Sequence, residues 1–474
     1  MDTSSSCNLH VAIVSSPGVG HLIPAVVLGN RLAAHHGVRV VVFQVTTEAS
    51  PPESKLLKLP LHQLVELVEL PPVDISHLVG PTTQVVTQLC LMLRHARPLA
   101  SSAVAAMDPR PAALVVDHFG TELLSIAAEF GMAKYVYVPS NAWFAALTLY
   151  LPVLDQQVEG QYVDQTEPLE IPGCKPVRPE DVVDPMLDRN DQQYDEYVKM
   201  GLAMASSDGI LINSWEDLDH KTLQALRKNE TLKSVIKTPV LLVGPLTRPV
   251  EPDGQNIKLM SWLDRQPNES VVFVSFGSGG VLPQAQITEL AWGLELSQQR
   301  FVWVVRRPTD GRVDDAFFAL SDGTDEAPTF LPNGFMGRVQ NVGFLVPKWA
   351  QQVQILTHPA IGGFLSHCGW NSTLESITNG VPIIAWPLYA EQKMNATFLA
   401  EEAGVALRPR AAPVVGRAEI ERSVRTLMEG EDGKSLREKV KQLKMSGNEA
   451  LKVGGSSHNS MCEVLAKIAS SKGQ

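Results

Sequence analysis

The run Val271-Val272-Phe273-Val274-Ser275-Phe276, followed at once by Gly277-Ser278-Gly279-Gly280, decides the fold. Its apolar residues are continuous instead of alternating, the pattern of a strand buried on both faces. The glycine-rich turn leads into a helical stretch, Pro283 to Ser297, and then a strand, Phe301 to Val305. Further strands are predicted at Ile361 to Leu365, Pro382 to Ala385 and Val405 to Arg408. Strand, turn, helix, strand in that order describes a parallel sheet with helices on both faces.

The same pattern stands at the amino end. His10 to Val14 reads as a strand, Ser15-Ser16-Pro17-Gly18-Val19-Gly20-His21 as its turn, and Leu22 to His35 as a helix. Strands follow at Val38 to Gln44, Ala113 to Val116, Lys134 to Val138 and Gly209 to Asn213. A chain of 474 residues is long for one core, and two domains are the natural division. The expectation is an α/β protein of two doubly wound, Rossmann-like domains, residues 1–244 and 267–455. Pro245, Pro249 and Pro252 mark the stretch between them, 245–266, as a linker. A carboxyl-terminal helix, 456–474, is expected to pack back on the first domain, and the acidic, aperiodic stretch Pro308 to Pro328 to be a mobile loop. Sheets of this kind bind ligands at the carboxyl ends of their strands, so a cleft between the two sheets is expected to hold the site.

Composition narrows the function classes. With 44% hydrophobic and 19% charged residues the chain is an ordinary globular protein. A net charge of -11 repels nucleic-acid backbones, so an anionic ligand must be held locally, by helix N-termini. The polar start, Met1 to Asn8, has no basic region, and the apolar run Leu9 to Val14 is too short for a signal peptide or a membrane span. Cys7, Cys90, Cys174, Cys368 and Cys462 are scattered, odd in number and without metal-ligand spacing. A reduced, cytoplasmic, monomeric protein without a metal is the expectation.

The densest chemistry lies between Trp349 and Gln392. It reads Trp349-Ala350-Gln351-Gln352, then His367-Cys368-Gly369-Trp370-Asn371-Ser372-Thr373-Leu374-Glu375, then Ala390-Glu391-Gln392. A strand ending in a glycine-punctuated turn that opens a helix near Asn371 presents free N–H groups and the positive end of a dipole, a phosphate site. His367, Asn371 and Ser372 stand where diphosphate oxygens would accept their hydrogen bonds, and Glu375, one turn on, suits a ribose diol. Trp349 offers a ring for stacking on a base.

This segment resembles the plant secondary-product glycosyltransferase signature of the family 1 UDP-dependent glycosyltransferases, over its whole length. The wording around 276–280 and 386–392 is most similar to the branch acting on hydroquinone, monolignols and related phenols. The resemblance implies the GT-B fold and UDP-glucose as co-substrate, with no other cofactor and no metal. It also implies that Trp349 and Ala350 contact uracil, and that Gln352 and Glu375 hold the ribose. Ser278, His367, Trp370, Asn371 and Ser372 then line the diphosphate, while Glu391 and Gln392 hold the sugar hydroxyls. Gln351 departs from the family, which usually has proline there.

His21 stands at the carboxyl end of a central strand, and Asp117 at the corresponding end of another. An Asp behind a His fixes its tautomer and stabilises the imidazolium, and the resemblance implies the same pairing, with His21 as general base. A small phenolic or flavonoid acceptor follows from the resemblance. Phe119, Trp143, Phe144, Ala390 and the Leu89 to Leu93 region are the candidates to line its site. Attack by an aromatic carbon instead of an oxygen, and a noncatalytic nucleotide-sugar-binding role, are the competing readings.

Overall fold

The computed structural model of the protein describes residues 9–47, 60–250, 257–309, 329–410 and 412–471. The polar start, residues 251–256 of the expected linker and 310–328 of the expected loop lie outside the described residues. The chain divides into two compact units: Met1–Thr247 with Gly447–Gln474, and Arg248–Ser446.

Among the described residues, seven strands build the sheet of the first unit. They are β1 (His10–Ser15), β2 (Arg39–Gln44), β3 (Val65–Glu69), β4 (Ala113–Asp117), β5 (Ala133–Val138), β6 (Gly209–Ile212) and β7 (Val240–Leu242). The order is β3-β2-β1-β4-β5-β6-β7, and every pairing is parallel. The order reverses between β1 and β4, the topological switch point where such sheets bind ligands. Val14 pairs with Val116, which brings the Ser15-Ser16 turn level with Asp117.

The first helix runs Val19–His36, so it starts three residues before the expected Leu22. Gly18, at φ 106, turns the chain alone, a conformation that only glycine takes without strain. The N–H groups of His21 and Leu22 both bond to its carbonyl. His21 therefore belongs to the first helical turn and shares that turn's rigidity. The helix ends where Gly37 adopts φ 65 and donates to Ala33 O. Its buried face, including Leu22, Val26 and Leu32, packs on Val11, Ile13, Val40 and Val42. Met461, Val464 and Ile468 of the helix Ser456–Ser471 enter the same core. Each such burial contributes about 1.5–3 kcal/mol.

The second unit repeats the topology. Its strands are β8 (Val271–Ser275), β9 (Arg300–Val305), β10 (Gly343–Pro347), β11 (Ile361–Ser366), β12 (Ile383–Ala385) and β13 (Ala406–Leu407). They lie in the order β10-β9-β8-β11-β12-β13, so the switch point falls between β8 and β11. Ser275 pairs with Ser366 there. The expected linker was drawn too long: Ile257–Leu263 is a helix, and Leu259, Trp262 and Leu263 pack with Phe273 and Phe364. The proline interruptions stop at Pro252, and nothing after it prevents a helix. No described helix is long and apolar enough to cross a membrane.

Candidate active site

At the first switch point His21 Nδ1 lies 3.2 Å from Asp117 Oδ2. The approach is off the direction of an ideal hydrogen bond, as is common before a substrate closes such a pair. His21 is 12% and Asp117 4% exposed, so the carboxylate is sealed behind the imidazole. Asp117 is held on all sides. Ser16 donates its N–H to Oδ2 at 2.9 Å and its hydroxyl to Oδ1, while Gly120 N–H donates to Oδ1 at 3.1 Å. The last of these bonds caps the short 3-10 helix His118–Leu123. Burial by itself pushes the Asp117 carboxyl up, but hydrogen bonds and charge from His21, with His118 and Ser16, outweigh it and hold it at about 2. Asp117 is an anion throughout the neutral range.

The walls near His21 are aromatic. The Phe119 ring meets the imidazole edge-on at 5.1 Å. His118 is buried, tilted against Phe119 at 4.2 Å and edge-on to Phe144 at 5.3 Å. Burial lowers His118 to about 3, so it is a neutral ring. Phe119 is half-buried and Phe144 is 7% exposed. Trp143, at 1% exposure, is buried more deeply than Phe144. Its position in the first turn of the apolar helix Ala142–Gln157, buried nearly all round, is the physical reason. Leu89 to Leu93 is likewise a buried face of the helix Val85–Ala105.

In the second unit, β11 delivers His367 and then opens the helix Trp370–Asn379, which has no side-chain cap at its N-terminus. Cys368, between them, sits at φ 65, a left-handed conformation that turns the chain sharply. Two glycines make room for the His367 ring: a Cβ on Gly277 or on Gly369 would lie 2.5 Å from its Nε2. Burial, reinforced by the charge of Arg306, lowers His367 to about 4. It is therefore a neutral hydrogen-bonding ring near pH 7, and its buried Nδ1 has no partner among the described residues. The Trp370 side chain packs against Phe398 in the core, which leaves its backbone as the part able to meet a ligand. Asn371 is half-buried and Ser372 buried in the same first turn.

Gln352 ties this turn to the Trp349 loop. Its amide donates to Ser372 Oγ at 2.9 Å and to Glu375 Oε2 at 2.7 Å. Ala350 beside it is buried, and Trp349 keeps 39% of its surface exposed, enough for one free face. Gln392 is more committed than its sequence position indicates. Its side-chain oxygen accepts from Leu388 N–H at 2.9 Å and Tyr389 N–H at 3.1 Å, so its NH2 is the end left for a ligand. Glu391 receives Asn395 Nδ2 at 3.3 Å, and the same amide bonds Cys368 O at 3.0 Å. Ala390, partly exposed, precedes them at φ 58.

Two arginines escaped the reading of the sequence. Arg248 is buried, with Nε 3.5 Å from Glu375 Oε1 and its guanidinium 6.0 Å over the Trp349 ring. Arg306 donates to the carbonyls of Ser278 and Lys348, tying the half-buried Ser278 turn after β8 to the Trp349 loop. Neither belongs to a motif; an arginine in a proline-rich stretch gives no signal. A third omission lies elsewhere: the fold gathers His36, His458 and Cys462, a set of metal-ligating types that spacing could not show.

Two units of parallel sheet in one strand order, with a His–Asp pair at one switch point and an uncapped helix N-terminus at the other, are the architecture of the GT-B glycosyltransferases. Residues 224–444 match the family described as UDP-glucoronosyl and UDP-glucosyl transferase. The chain is 54% identical over 456 residues to anthocyanidin 3-O-glucosyltransferase 5 of Manihot esculenta, covering 95% of this chain and 94% of the relative. TcCGT1, solved in complex with UDP, superposes with a TM-score of 0.91 at 45% identity, over 98% of this chain and 100% of that one. UGT2 of Phytolacca americana, complexed with UDP-2fluoro-glucose and pterostilbene, gives 0.86 at 38% identity, over 98% and 100%. The protein belongs to the family of plant UDP-dependent glycosyltransferases.

Proposed function

We propose that the protein transfers glucose from UDP-glucose to a hydroxyl of a small phenolic or flavonoid acceptor, with inversion at the anomeric carbon and His21 as general base. The observation that carries this reading is the 3.2 Å approach of His21 Nδ1 to a buried, anionic Asp117. With Nδ1–H directed at the carboxylate, Nε2 keeps its lone pair for the acceptor proton. A phenol titrates near ~10 and an imidazole near ~6.5, so proton transfer ahead of attack is uphill by roughly 5 kcal/mol. Transfer therefore accompanies attack on the anomeric carbon, and the anion behind the ring offsets part of the gap.

On the donor, Trp349 and Ala350 take the uracil, and Gln352 and Glu375 the ribose. His367, Ser278 and the first-turn amides at Trp370, Asn371 and Ser372 take the diphosphate, while Glu391 and Gln392 hold the glucose hydroxyls. As UDP departs, the neutral His367 ring and the helix dipole meet the growing charge. That task calls for no metal and no further cofactor. The anthocyanidin-directed relative and the pterostilbene-bound structure support a phenol as acceptor, with Phe119 and Phe144, beside His21, to meet it in the first unit and Ala390 as the candidate in the second. Scattered cysteines support a cytoplasmic setting.

UDP release and product formation with UDP-glucose and a panel of phenols test the reading. His21→Ala is expected to cut kcat by roughly 10³-fold, and NMR of the product to show a β-glucoside. Unchanged turnover in the variant, or an α-linked product, sinks it.

A further inference from the structure

We propose that His36, His458 and Cys462 form a binding site for one thiophilic divalent cation, of which zinc is the type. His36 ends the helix Val19–His36, and His458 and Cys462 stand four apart on the helix Ser456–Ser471, hence on one face of it. The Cys462 sulfur lies 3.6 Å from His458 Nε2 and 3.9 Å from His36 Nδ1. The three ligand atoms lie within 4.8 Å of one another. Tetrahedral zinc, with bonds of about 2.3 Å to sulfur and about 2.0 Å to nitrogen, sets sulfur and nitrogen about 3.6 Å apart. Closing the set takes imidazole movements of about 1 Å.

Several features favour a cation there. A thiol has one proton, so Cys462 can donate to only one of the two nitrogens that approach it; a metal ion satisfies both. Zinc displaces that proton to solvent and leaves a thiolate, two neutral imidazoles and one net positive charge. The opposite nitrogens, His36 Nε2 and His458 Nδ1, have no hydrogen-bond partner among the described residues, so nothing there pins the tautomers. His36 also stands in the last helical turn, where the dipole favours positive charge. Arg31 is the counterweight, but its guanidinium is engaged by His35 and by the carbonyl of Leu451. The Cys462 side is exposed, which supplies both an entry path and a water as fourth ligand. The bound ion would clip the carboxyl-terminal helix to the helix whose first turn carries His21.

Zinc and cobalt titrations of the full chain, with Cys462→Ser and His458→Gln beside the wild type, are the test. Expected are one zinc per chain, a sulfur-to-cobalt charge-transfer band, and a melting temperature raised by roughly 5 °C at about 100 times Kd. Cys462→Ser should lose the band and bind zinc about 100-fold more weakly, while melting and turning over like the metal-free wild type. His458→Gln should keep the fold and lose the same affinity. A wild type that binds no zinc, or a Cys462→Ser protein that retains the band and the melting shift, overturns the proposal.

Discussion

The two switch points share one topology and carry opposite chemistry. In the first unit the residue that ends β4 is Asp117, and its carboxylate caps the following 3-10 helix and accepts from the Ser16 turn. In the second, β11 ends at Ser366, and the helix after His367 has no side-chain cap. The first switch point thus holds a built-in anion, whereas the second leaves its helix N–H groups without one. Each histidine follows from its neighbour. His21 is backed by a carboxylate at 3.2 Å; His367, buried beside Arg306, is held neutral at about 4. One strand order thus ends in a carboxylate-capped helix at one switch point and in an uncapped helix at the other.

The strongest test of that contrast removes the built-in anion. Asp117→Asn keeps the size of the side chain but not the charge, and kcat is expected to fall by on the order of 10²–10³-fold with donor KM little changed. A loss confined to KM would place Asp117 in binding and end the contrast. His367→Ala should lower kcat as well, by about 10²-fold, through weaker stabilisation of the departing diphosphate. Because the ring is already neutral, wild-type donor KM should stay flat between pH 5.5 and 8; a rise across that range would mean that an imidazolium is the donor.

The same shifts govern stability. His367 and His118 have folded values below their unfolded value, so the unfolded chain binds more protons as pH falls beneath about 6.5. Their contribution is complete above that value and is lost as pH falls toward about 4 for His367 and about 3 for His118. For His367 it amounts to about 3 kcal/mol at most. Asp117 loses its own contribution lower, as pH falls toward about 2. Urea unfolding of His367→Asn should show a shallower fall between pH 6.5 and 4; an unchanged slope would break the link.

Smaller effects sharpen the donor side. Arg248→Ala leaves Glu375 without its guanidinium and should raise donor KM about 10-fold with kcat nearly intact; equal KM values would make Arg248 purely structural. Gln351 caps its helix at φ -72, within the range proline imposes. Gln351→Pro should therefore stabilise by about 0.5 kcal/mol with no change in donor KM, as urea midpoints would show.

The sequence by itself determined the strands of both sheets that carry the switch points, because buried parallel strands are written as unbroken Val, Ile and Leu runs. Edge strands β3, with two glutamates, and β7, with three residues, left no such mark. The motif at 349–392 named the residues that the fold gathers around the start of the helix Trp370–Asn379, since strand, turn and helix start are local and each residue's place follows from its offset. Tertiary structure alone decided what was not local. It brought Arg248 onto Glu375, used the Gln392 oxygen to hold a turn, sent Trp143 into the core, and set His36 beside Cys462. Those outcomes depend on which elements pack together, and on the burial and charge that result, which no spacing along the chain encodes.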